Sequence, residues 1–283
     1  MKLGLGLGFN NAHHGQQNSA VVLDISALSY DSANDYYYSG ESARFREIAV
    51  SDDGATIIAI SQANDKLFSY SLSTGWDLST ASKDAYEVTM ATLGNSETNP
   101  QALFVKPDGT KLYYSGFSQD TVYQWSMSTP WDISTLSYDS KSFGLGGNCF
   151  TITLSRDGTK LYAIDNSTSS GTLRQYTLST PWDISTASDS GNFYTDNSKF
   201  AGPVWISPDG QYLVLADIIA DILRQYEFGT PWDISTLSEQ VGITLDSSAL
   251  TSDTHCSSVV IKPDDYSVIF NVGGTTRYIY QFS

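Results

Sequence analysis

Apolar residues in this chain fall in short runs, mostly three or four long, bounded by Gly, Pro, Asp and Ser. The runs come in pairs. Ile48-Ala49-Val50, Leu103-Phe104-Val105, Ile152-Thr153-Leu154, Val204-Trp205-Ile206 and Val259-Val260-Ile261 each precede a turn sequence. Ile57–Ile60, Leu112–Tyr114, Leu161–Ile164, Leu213–Leu215 and Val268–Phe270 each follow one. The turns read Ser51-Asp52-Asp53-Gly54, Lys106-Pro107-Asp108-Gly109, Ser155-Arg156-Asp157-Gly158, Ser207-Pro208-Asp209-Gly210 and Lys262-Pro263-Asp264-Asp265. Pro presets φ, Asp binds nearby amides and Gly takes positive φ, so each set is predicted to be a β-hairpin. In the fifth copy Asp265 stands where Gly is expected and is predicted to take the left-handed region.

A third run follows in every unit, from Leu67–Tyr70, Val122–Trp125, Leu173–Tyr176 and Leu223–Tyr226 to Ile279–Phe282. Apolar and polar residues alternate within it, as in a strand buried on one face. Next comes a longer repeated stretch, Thr129-Pro130-Trp131-Asp132-Ile133-Ser134-Thr135, which recurs at 180–186 and 230–236. Looser copies are Thr74–Thr80 and Leu23-Asp24-Ile25-Ser26. After each copy a fourth strand is expected, such as Leu28–Asp31 or Leu136–Asp139.

Four antiparallel strands in a repeat of about 53 residues describe the blade of a β-propeller. Residues 19–283 hold five such units, cut between the third and fourth strands. The expected fold is therefore all-β: a single five-bladed β-propeller of four-stranded antiparallel blades. The N-terminal segment around Leu23–Asp31 would supply the strand that the last blade lacks, which removes open edges. Residues 1–18 lie outside the units. Helix is nearly absent, and Ile218–Ile222 reads as a loop.

The formal charge is −16, and no Lys/Arg cluster occurs. Phosphate backbones and anionic membranes are disfavoured as partners. No apolar run is long enough to span a bilayer, and the glycine-broken stretch Met1–Phe9 is not expected to be a signal peptide. Cys149 and Cys256 occupy equivalent places two units apart, too far for a disulfide, so free thiols are expected.

The recurring Trp and Asp residues read as scaffold, since a residue used once in a site is not needed in every blade. Asp132, Asp183 and Asp233 would cap turns with Ser134, Ser185 and Ser235, and the tryptophans would pack on neighbouring strands. A site is expected where the units differ, on the connections from fourth to first strand. These carry Tyr36, Tyr37, Tyr38, Arg44, Asn99, Tyr194, Asn197 and His255. Aromatic and amide side chains on loops of a rigid frame suit a sugar or protein ligand. Carboxylates such as Glu41, Glu47, Glu97, Asp196 and Asp253 are present, but no motif singles out a catalytic pair. The residues that open the first strands, among them Arg46/Glu47, Gln101/Ala102 and Ser257/Ser258, do not read as a metal-ligand ring. His13 and His14 lack a third ligand. No metal, no cofactor and no catalytic residue is expected.

The alternation of Ser-Thr-Pro-Trp-Asp-Ile-Ser-Thr with Ser-Pro-Asp-Gly resembles β-propeller repeat proteins of tailed phages and marine bacteria. That resemblance implies a non-enzymatic virion structural protein, a tail, fibre or capsid-surface component made in the host cytoplasm. A lectin-like carbohydrate-binding module and a glycosidase or lactonase are the alternatives. In the arm, Leu3, Leu5, Leu7 and Phe9 alternate with glycine. This suits an extended strand docked on another virion protein. A host-surface glycan or protein would then meet the loop face.

Overall fold

A computed structural model describes residues 36–37, 45–93, 97–165, 171–195, 202–217, 222–244, 256–262, 268–272 and 278–282. Their strands make five antiparallel sheets of four. The first sheet holds β2 (Phe45–Val50), β3 (Thr56–Ser61), β4 (Lys66–Leu72) and β5 (Ala81–Thr89). The second holds β6 (Pro100–Val105), β7 (Lys111–Gly116), β8 (Thr121–Met127) and β9 (Leu136–Gly144). The third holds β10 (Cys149–Leu154), β11 (Lys160–Asp165), β12 (Thr172–Leu178) and β13 (Ala187–Tyr194). The fourth holds β14 (Val204–Ile206), β15 (Tyr212–Asp217), β16 (Ile222–Phe228) and β17 (Leu237–Thr244). The fifth runs β18 (Cys256–Ile261), β19 (Val268–Val272), β20 (Tyr278–Phe282) and then β1 (Tyr36–Tyr37) from the N-terminal side.

The first strands of consecutive sheets pack together: β2 against β6, β6 against β10, β10 against β14, β14 against β18, and β18 against β2. The apolar core lies between sheets. One cluster joins Tyr162, Ile164 and Leu173 to Leu213, Leu215 and Tyr226, and another joins Tyr113 and Val122 to Ile152, Leu161 and Tyr176. This is four-stranded blade packing of a propeller.

The turn chemistry read from the sequence is present. Gly54, Gly109, Gly158 and Gly210 have φ between 70° and 72°. Each lies under the indole of its own sheet, Trp76, Trp131, Trp182 or Trp232, so closely that a Cβ would sit 2.1–2.4 Å from a ring atom. Asp77, Asp132, Asp183 and Asp233 accept from the amides of Ser79, Ser134, Ser185 and Ser235. Each caps a single 3-10 turn: Leu78–Thr80, Ile133–Thr135, Ile184–Thr186 and Ile234–Thr236. These short helical turns were not anticipated by the strand-and-turn pattern.

Sheet-to-sheet latches use the same stretch. Tyr113 Oη donates to the Trp182 carbonyl at 2.8 Å, and Gln124 Oε1 accepts from the Ile184 amide at 2.9 Å. One sheet further on, Tyr162 Oη donates to the Trp232 carbonyl at 2.7 Å and Gln175 Oε1 accepts from the Ile234 amide at 3.1 Å. Cys149 is a free, buried thiol. The side chain of Cys256, the turn residue Asp265, residues 218–221 and the segment Leu23–Asp31 lie outside the described residues.

Candidate functional site

The five first strands surround an axial cavity of about 150 Å³. Its walls are mixed, with Val50, Val105, Leu154, Ile206 and Ile261 lining it alongside Phe104 and Trp205, and with Thr153 among them. One end is rimmed by Asp52, Pro107, Arg156 and Pro208, the second residues of four equivalent hairpin turns. Trp76, Trp131 and Trp232 line the cavity as well. Arg156 Nη2 donates to Asp52 Oδ2 at 2.6 Å, so an ion pair links the first and third sheets across this rim. Both partners are about half exposed.

Glu47 also lines the cavity and is only 6% exposed. It stands five residues before Asp52, roughly 16 Å along an extended strand. Its Oε2 accepts from the Leu103 amide at 2.9 Å and its Oε1 from Thr151 Oγ1 at 3.0 Å. One carboxyl therefore touches the second and third sheets. Burial pushes it well above the usual carboxylate range, while the Leu103 amide and the Thr151 hydroxyl pull it back. Among the described residues no Lys or Arg acts on this carboxyl. At the equivalent position of the last sheet, Ser258 Oγ accepts from the Ile48 amide at 3.1 Å. First strands present an unpaired edge to the axis, and these side chains serve its amides.

Four of the residues expected on these connections, Tyr36, Tyr37, Asn99 and Tyr194, are described. The fourth strands run further than expected, to Thr89, Gly144, Tyr194 and Thr244. A register shift in the pairing of third and fourth strands lets each continue beside its partner, as between Arg174 and Tyr176. Tyr36, Tyr37 and Tyr194 are thus strand residues rather than loop residues. Tyr36 pairs with Ile279, and its ring lies edge-on to Tyr70 at 5.5 Å. Tyr37 pairs with Tyr278. Tyr194 pairs with Leu173 and meets Tyr226 edge-on at 5.9 Å. Asn99 is engaged within the protein: its Oδ1 accepts from Gln101 Nε2 at 2.6 Å and from Gln62 Nε2. Gln62 in turn accepts from Arg46. Tyr38, Arg44, Asn197 and His255, with Leu3, Leu5, Leu7 and Phe9 of the arm, lie outside the described residues.

Glu47 and its cavity were missed as a site. The available signal was its difference from Ala102, Thr151, Pro203 and Ser258 at the same repeat position. The pairing register shifts between Phe45 and Glu47, and such a shift is invisible to a period-two reading.

No protein-family model and no curated protein matches the chain. Solved structures do. RRP9 WD40 repeats align with a TM-score of 0.52 at 9% identity, over 90% of this chain and 100% of that one. A protein of Bacteroides uniformis provisionally assigned as a 6-phosphogluconolactonase gives 0.50 at 15% identity, over 79% of this chain and 62% of that one. A protein of unknown function from Desulfotomaculum acetoxidans gives 0.48 at 14% identity, over 82% of this chain and 63% of that one. The fold is that of a β-propeller. The chain spans less than two thirds of the length of the two bacterial proteins.

Proposed function

We propose that this chain is a non-catalytic binding propeller, a protein- or receptor-binding component of a virion surface. It is a ring of five blades closed through its N-terminal segment and anchored by residues 1–18. The observation that supports a scaffold role is the use made of the repeated polar residues. Tyr113, Gln124, Tyr162 and Gln175 are spent on latching each sheet to the next, which favours a stiff frame carrying variable connections. A glycan is a second candidate ligand, favoured by Phe193, which stands 58% exposed on β13 and offers a stacking face.

Immunogold labelling of virions from cells that make this chain tests the first reading, with label expected on the tail or capsid surface. Unlabelled virions overturn it. A chain lacking residues 1–17 should fold yet fail to join the particle, and normal incorporation would locate the anchor in the propeller. A glycan array tests the second reading, with binding expected to fall in Phe193→Ala. Hydrolysis of a glycan or lactone by the pure chain would replace both readings by an enzymatic one.

A further inference from the structure

The axial cavity combines three features that no latch requires. Between its two charged ends its walls carry a run of apolar side chains, from Val50 and Val105 round to Ile206 and Ile261. At one end the cavity is lined by a buried carboxyl, Glu47, which is held by an amide and a hydroxyl; among the described residues no cation acts on it. The opposite end carries an ion pair, Asp52–Arg156, whose partners are half exposed. A carboxylate taken from water without a counter-ion is costly, and a bound cation removes that cost. An exposed pair contributes little and can part. A chain of charge −16 draws cations toward it.

We propose that the axial cavity is a binding site for a small primary ammonium compound with an unbranched apolar tail. The ammonium group sits on Glu47. The tail lies along Val50, Val105, Leu154 and Ile206 toward the tryptophan rim. The ligand enters past Asp52 and Arg156. The length of strand between Glu47 and Asp52, roughly 16 Å, accommodates a tail of several methylenes. Each methylene leaving water adds to affinity, and the carboxylate supplies selection for the cation over a neutral alcohol.

The probes are n-hexylammonium chloride and n-hexanol, titrated into the full chain by calorimetry. The ammonium is expected to bind at least tenfold more tightly than the alcohol. Glu47→Gln keeps an acceptor for the Leu103 amide and is expected to abolish that preference. Ala49→Leu fills the cavity and leaves Glu47 in place, and it should weaken both probes. Absence of ammonium binding, equal affinity for hexanol, or undiminished ammonium binding in Ala49→Leu overturns the proposal. Should Glu47→Gln fail to fold, Ala49→Leu and the alcohol comparison still decide it.

Discussion

Trp76, Trp131, Trp182 and Trp232 have φ of 63–65°, a region bulky residues rarely adopt. The strain is tolerated because each indole is held over a glycine and each Trp amide donates to that glycine's carbonyl, at 3.0 Å for Trp182 and Gly158. The glycine is the half of the pair that cannot change. Gly158→Ala places a methyl against the Trp182 ring at positive φ and should lower stability by about 2–4 kcal/mol. Gly144→Ala, where a Cβ meets nothing within 4 Å, should stay within about 0.5 kcal/mol of the parent. Urea denaturation of the two variants separates close approach from loss of chain flexibility. At Glu47 the raised affinity for the proton gives a pH signature. An acid that holds its proton more tightly folded than unfolded favours the fold at low pH. That contribution is lost as pH rises through the folded value. The Glu47→Gln variant should therefore gain on the parent as pH rises from about 4 toward neutrality. A stability difference constant with pH would show that Glu47 titrates normally.

At the scale of the element, β7 and β8, and likewise β11 and β12, act as two-pronged clasps. Tyr113 is opposite Gln124, and Tyr162 opposite Gln175. Each pair reaches the 3-10 turn of the following sheet through one hydroxyl and one amide oxygen. Gln175→Ala leaves the buried Ile234 amide without its acceptor and should cost about 1–3 kcal/mol. Tyr162→Phe should cost about 1 kcal/mol, since the carbonyl it leaves keeps a second lone pair. Guanidinium melts of the single and double variants should show the two losses falling short of additivity, because both serve one interface. The first sheet has Ile58 opposite Ser69 at this place. There Ile58 packs directly in one cluster with Ile133 and Trp131, so the same join is made by apolar contact. A clasp and an apolar contact are alternative solutions to one packing problem, which is why the repeat tolerates the exchange.

At the scale of the whole molecule, β1 takes the fourth place in the fifth sheet, beside β20, and its Tyr36 packs against the first sheet's cluster and meets Tyr70 edge-on. The last sheet also meets the first through Ser257 Oγ, which donates to the Phe45 carbonyl at 2.8 Å. Removing residues 1–37 leaves β20 paired only with β19 and takes Tyr36 away from Tyr70. An open strand edge promotes association. The truncated chain is expected to melt many degrees lower or to elute as aggregate in size-exclusion chromatography. A truncated monomer with the parent's melting temperature would mean that β1 contributes nothing to the ring.

The sequence by itself determined the repeat unit, the strand order within it, the hairpin turns with their positive-φ glycines, and the scaffold role of the Trp-Asp stretch. All of these follow from local periodicity and turn chemistry, which act over a few residues and repeat. The tertiary structure alone decided how far the fourth strands run and where Glu47 falls in the pairing register, because a bulge shifts register without changing composition. It also decided that Tyr36, Tyr194 and Asn99 are engaged within the protein. Whether an aromatic or amide on a variable segment faces a ligand or a neighbouring sheet depends on contacts between residues as far apart in the chain as Tyr36 and Ile279. Those contacts, like the cavity lined by five separate strands, exist only once the sheets have packed against one another.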